Sequence, residues 1–132
     1  MSVVLQAHGW LRWLVVALLV LSVVVHGLGW LGGRRAGPLE RAVNGGVLGA
    51  MGVQLVLGIL LLIGRHDGKA FEHGTTMVVA VALAHLSLRW RGLPDAKRAR
   101  NLVLLHAGLL ALVYLGVWRI TGNAAWLLGA GA

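Results

Sequence analysis

Asp, Glu, Lys and Arg are absent from four stretches of the chain, 13–33, 42–64, 73–88 and 101–118. A membrane-spanning helix needs about 20 mostly apolar residues, with a range of roughly 17–25. The first, second and fourth stretches meet that length directly. The third is shorter, but Arg89 and Arg91 beyond its end can reach their charges to the interface and extend it. Backbone groups in lipid must be satisfied internally, and these runs are too long and too evenly apolar for barrel strands. The pattern predicts an all-α integral membrane protein, one domain over 1–132. It is a four-helix up-down-up-down bundle with helices at about 6–33, 42–64, 73–91 and 101–120.

Composition agrees. Of 132 residues, 58% are hydrophobic and 12% charged, whereas soluble domains are roughly half apolar and about a quarter charged. The mean hydropathy is +0.82. With no cysteine, a disulfide framework, a thiolate metal site and covalent haem attachment are all excluded. A net charge of +8 would suit nucleic acid if it formed a patch, but the basic residues fall in the gaps between apolar runs, so no nucleic-acid partner is expected. There they report orientation. The segments 34–41 and 89–100 hold eight Lys or Arg, against Arg12, Arg65, Lys69 and Arg119 on the other side. The positive-inside rule then places both basic loops in the cytoplasm and both termini outside an inner (cytoplasmic) membrane. Gly37-Pro38 and Pro94-Asp95 mark those loops as turns. Tryptophans 10, 13, 30, 90, 118 and 126 stand near run ends, as an aromatic belt requires. No basic segment precedes the first run and no small-x-small site follows it, so it reads as a retained helix.

Six histidines are many for so polar-poor a chain, and ionisable residues inside membrane helices usually face the bundle interior and mark function. Counting from the basic boundaries sorts them into layers. His26, His85 and His106 share a level on the cytoplasmic side, His8 and His73 open helices 1 and 3 at the outer side, and His66 falls in the loop "GRHDGK" as a solvated residue. Two histidines at one depth on diagonal helices are what a bis-histidine haem b needs, with the porphyrin replacing packing side chains. His8 with His73 makes an outer pair and His26 with His85 an inner, second one. From 8 to 26 is five helical turns, so those two share a face. On helix 3 the spacing from 73 to 85 turns His85 by about 120° from His73. Either helix 3 tilts and begins irregularly at His73, or His106 replaces His85. The bland alternative is that single histidines hydrogen-bond across helices. Zinc or di-iron is weakly supported, because no His-x-x-x-His or Glu-x-x-His pair stands within a helix.

"HGWLRW" (8–13), "VQLVLGILL" (53–61), "FEHGTTM" (71–77) and "LAH" (83–85) resemble segments of a family of small four-helix bacterial membrane proteins labelled cytochrome B. That resemblance spans most of the chain through short motifs. It implies a haem-b membrane cytochrome and carries over His8, Arg12, Trp13, Gln54, Glu72, His73 and Met77; His26 and His106 are not among its features. Arg12 stands one turn after His8, where a guanidinium can pair with a haem propionate. Glu72 would either accept from a nearby ring N–H or complement the helix-3 dipole as an entry anion. Gly45, Gly49 and Gly52 give helix 2 a small-residue face for close helix approach.

The expected function is electron transfer within or across the membrane through one haem b, or two. Bis-histidine ligation leaves the iron no open position and favours electron transfer over oxygen chemistry. A quinol is the expected type of donor, which would make the chain a quinol-linked oxidoreductase or an electron-carrier subunit, alone, as a homo-oligomer or in a larger respiratory complex. Two other classes compete: a cofactor-free accessory subunit, and a small transporter. The spans lack the interior acid that coupled carriers normally use.

Overall fold

The computed structural model describes residues 1–125. Helix α1 spans Ser2–Leu31, α2 Pro38–Ile63, α3 Gly68–Ala84 and α4 Asp95–Thr121, and α3 runs on into a 3₁₀ stretch, His85–Trp90. All four are long and apolar enough to cross a membrane, which makes this a multi-pass architecture. Helix α1 packs on α2 and α4, and α3 packs on α4 and α2. The parallel helices α1 and α3 are thus diagonal, in an up-down-up-down bundle. We call the two ends terminal (both termini and the α2–α3 loop) and basic (the loops rich in Lys and Arg).

Each helix begins several residues before the uncharged run that revealed it, because caps rather than charges set the ends. Pro38 opens α2 with its preset φ, and the Glu40 carboxylate accepts from the Gly37 N–H at 2.8 Å. Asp67 caps α3 by accepting from the Ala70 N–H at 2.8 Å. At the far end of α4, Gly122 takes the left-handed conformation (φ 68°) and its N–H bonds the Trp118 carbonyl, a stop that suits glycine. Helix α3 starts at Gly68 and passes regularly through His73, so of the two alternatives the irregular start at His73 does not occur; the irregular part is the end from His85.

The core is a narrow apolar plug at mid-bundle, built from Leu19, Met51, Ala80, Ala84, Leu109 and Val113 among others. Much of the remaining apolar surface faces outward, as with Val20, Val24, Val56 and Leu104; helices apolar all round belong in lipid. Trp10 and Trp118 at the terminal end and Trp30 at the basic end are exposed at the belt levels expected of them. Trp126 lies outside the described residues. The expected glycine seam on α2 is not a contact in this bundle: a Cβ on Gly45, Gly49 or Gly52 would meet nothing within 4 Å. Close approach occurs instead at Gly46, against Leu18, and at Gly58, against His8.

Candidate cofactor site

At the terminal end, α1 and α3 bring His8 and His73 face to edge, with ring centres 6.2 Å apart and planes at 82°. They line a cavity of about 470 Å³ walled by all four helices, with Arg12, Gln54 and Met77 also on its surface. His73 Nδ1 donates to the Gly116 carbonyl on α4 at 2.9 Å. A carbonyl can only accept, so the proton sits on Nδ1 and Nε2 keeps its lone pair. His8 is held from α2: the Gln54 amide donates to the His8 carbonyl at 3.0 Å and lies 3.3 Å from His8 Nε2. His8 Nδ1 is buried without a hydrogen-bond partner among the described residues.

Both rings lean on glycines. A Cβ at Gly58 would stand 3.3 Å from His8 Cε1, and one at Gly116 would stand 2.5 Å from Met77 Cε and 3.5 Å from His73 Nδ1. Arg12 packs its guanidinium carbon 5.2 Å from the centre of the Trp13 ring. Glu72 serves neither of the roles expected of it. Its carboxylate is bridged to Arg119 of α4 at 2.6 Å, Gly116 takes the His73 N–H, and Asp67 caps the helix.

The basic end is built differently. His26 on α1 and His106 on α4 are both buried, with ring centres 5.9 Å apart and planes tilted by 55°. Ser22 stands between them. Its Oγ is 3.0 Å from His26 Nδ1 and 2.6 Å from His106 Nδ1, and His26 Nδ1 also donates to the Ser22 carbonyl at 2.8 Å. Both Nε2 atoms are buried without a partner among the described residues. His85, expected as the partner of His26, is exposed and donates from Nδ1 to the Val81 carbonyl at 2.8 Å. The rotation read from the 73-to-85 spacing explains this: with His73 facing inward, His85 cannot. His66 is exposed in the α2–α3 loop.

The two pairs differ as ligand sets. Imidazole nitrogens bind a metal at about 2 Å, which sets two rings around one ion with centres roughly 6 Å apart and their far nitrogens about 8 Å apart. The 6.2 Å of His8 and His73 meets the first condition, and because the rings stand face to edge one of them would turn to aim its in-plane lone pair at a shared ion. His26 and His106 meet it too, but their Nδ1 atoms bond one hydroxyl, so they cannot be farther apart than those two bonds laid end to end. That is a hydrogen-bonded triad, and no iron held through the Nε2 atoms fits between these rings. The cleft beside them measures about 10 Å³.

No family model, curated protein or solved structure matches this chain. Among the described residues there is also no cluster of three or more His, Cys, Asp or Glu placed to hold a metal ion. Chemistry at the terminal end therefore rests on two histidines and a cavity.

Sequence reasoning missed three contributors: Gly116, Arg119 and Ser22. Arg119 had a faint signal, since Glu72 is an acid at the end of a span that needs a base nearby. Ser22 stands one turn before His26, a spacing at which a hydroxyl reaches the next turn. Gly116 had no signal, because its function lies in a backbone carbonyl.

Proposed function

We propose that the chain is a membrane cytochrome holding one b-type haem between His8 and His73, and that it carries electrons at the outer face of the inner membrane, with both termini outside. The observation that carries this reading is the facing pair at 6.2 Å on the wall of the 470 Å³ cavity, a volume within the range of about 300–1,000 Å³ usual for small-molecule sites. Binding through His8 Nε2 would exchange the hydrogen bond which that nitrogen accepts from the Gln54 amide for a bond to the iron.

When bound, haem would supply a one-electron couple, and His8 and His73 would be the residues that hold it. The chain's own groups do the rest. The Gly116 carbonyl keeps the proton on His73 Nδ1 and fixes the ring. Gln54 ties α2 to α1 beside His8. Arg12 brings a positive charge to the cavity for a propionate, and the apolar plug closes the cavity floor against water. A quinol is the donor class that suits a carrier set in lipid.

Purified protein should be red, with a reduced-minus-oxidised spectrum and a pyridine haemochrome of haem b at one per chain. His8→Ala and His73→Ala should each lose that haem or convert it to high spin. Wild-type low-spin spectra in both variants would exclude this ligand pair. A colourless protein would favour the cofactor-free accessory subunit, a reading supported by the outward-facing Gly45 and Gly49 of α2, where another helix can approach closely.

A further inference from the structure

The triad at the basic end has a feature that hydrogen bonding between helices does not require: it connects to the surface. His26 lines a cleft that opens at the basic end, rimmed by Arg34, Glu40, Asp95 and Arg98. Its volume of about 10 Å³ is room for about one water. His26 is 3% exposed and its Nε2 has no partner among the described residues. A buried ring with an unpartnered Nε2, lining a water-sized cleft that two carboxylates also line, is placed to accept a proton.

The protons of the triad can be assigned from its acceptors. His26 Nδ1 bonds the Ser22 carbonyl, so it carries hydrogen and Nε2 does not. It offers that hydrogen to Ser22 Oγ as well, which leaves the Ser22 hydroxyl free to donate its own to His106 Nδ1, 2.6 Å away. His106 then holds its hydrogen on Nε2. Every member of the chain is thus oriented in one direction, from the cleft toward α4.

We propose that His26, Ser22 and His106 form a proton-loading relay fed by water from the cytoplasmic side. A proton arriving from a water in the cleft binds His26 Nε2. The Nδ1 hydrogen of His26 passes to Ser22 Oγ as the Ser22 hydroxyl hydrogen passes to His106 Nδ1. The hydroxyl is restored, His26 is again neutral with its hydrogen now on Nε2, and the positive charge rests on His106. No electron moves and no co-reactant is needed. A second transfer requires the His26 ring to turn and restore Nδ1–H, so the relay loads one proton and does not run as a channel. Beyond His106 lies the apolar plug, with Leu109 one turn along α4.

The charged and titratable groups facing the relay are few. Glu40 of α2 and Asp95 of α4 supply negative charge at the cleft, and Arg98 of α4 and Arg34 of the α1–α2 loop supply positive charge. Helix α3 brings no charge there: Ser87 is bonded by Asn44 and His85 points outward. The rim is therefore balanced, with carboxylates to gather protons and no net repulsion.

The relay does not depend on a haem at the other end, and its test needs none. Full-length protein carrying ¹³C-labelled histidine, in lipid, is followed by infrared spectroscopy after a jump from about pH 8 to about pH 3, to below the ordinary histidine range. The imidazolium band that disappears in His106→Gln identifies His106. Its rise should be fast in the wild type and in Ser22→Thr, which keeps the hydroxyl. It should slow by an order of magnitude or more in Ser22→Ala and in His26→Gln, with helicity unchanged. Equal rates in Ser22→Ala and Ser22→Thr would overturn the relay, as would the absence of any His106 imidazolium band in the wild type.

Discussion

Gly116 occupies a point where α4 has no space for a side chain and where its carbonyl is committed to His73. An added methyl presses on Met77 Cε, the far end of a flexible chain, so the strain is relievable. Gly116→Ala should lower stability by about 1 kcal/mol, in the range of mild overpacking, and Gly116→Ala with Met77→Ala should recover most of it; thermal unfolding of the three proteins in one detergent measures this. The serine between the basic-end histidines supports a sharper contrast. Ser22→Ala strips His106 Nδ1 of its partner in a buried setting and should cost about 1–3 kcal/mol. His85→Ala removes an exposed ring bonded only to its own helix and should stay within about 0.5 kcal/mol of wild type. If His85→Ala proved the costlier of the two, His106 would not be the inward histidine. The meetings of His8 with His73 and of His26 with His106 agree with depths counted from the sequence, but depth does not give azimuth. His26 and His106 meet, while His85 takes an outward face, which the 120° turn from His73 hinted at.

At the scale of the helix, the uncharged runs located four spans and left their ends open. Lys and Arg do not stop a helix at an interface, so α2 and α4 run on through residues that read as loop, and the ends fall where Pro38, Asp67 and Gly122 place them. Asp67→Ala should therefore cost about 0.5–2 kcal/mol through loss of the α3 cap. Glu72→Gln, at an exposed ion pair with Arg119, should cost no more than about 1 kcal/mol and leave the His73 site intact. Denaturant unfolding of the two variants distinguishes them, and a larger loss in Glu72→Gln would return Glu72 to the role of entry anion. The glycines of α2 were misread because sequence spacing shows that a face is small without showing whether it turns inward. Only the packing of Leu18 and His8 reveals that Gly46 and Gly58 do.

For the whole molecule, the distribution of charge sets which end faces which compartment. Arginine and lysine crowd the loops at 34–41 and 89–100, so those loops should be cytoplasmic. Single cysteines placed at Gly37 and Asp95 should resist an impermeant thiol reagent in intact cells and react in inverted vesicles. Labelling from outside at either position would reverse the orientation and make the cleft beside His26 face outward. Whichever way the bundle sits, Leu19, Ala80, Ala84 and Leu109 separate its two polar ends. His8 and His26 are about 27 Å apart along α1, most of the hydrocarbon thickness of about 30 Å. Moving one elementary charge across that thickness against 100 mV costs about 2.3 kcal/mol, and nearly all of the voltage drop falls within the dry middle of the bundle. A charge taken up at either end would therefore equilibrate with the compartment it touches and be nearly blind to the other, so a haem at one end and a loaded relay at the other would be two separately poised charges across a thin insulator, as the plates of a capacitor are.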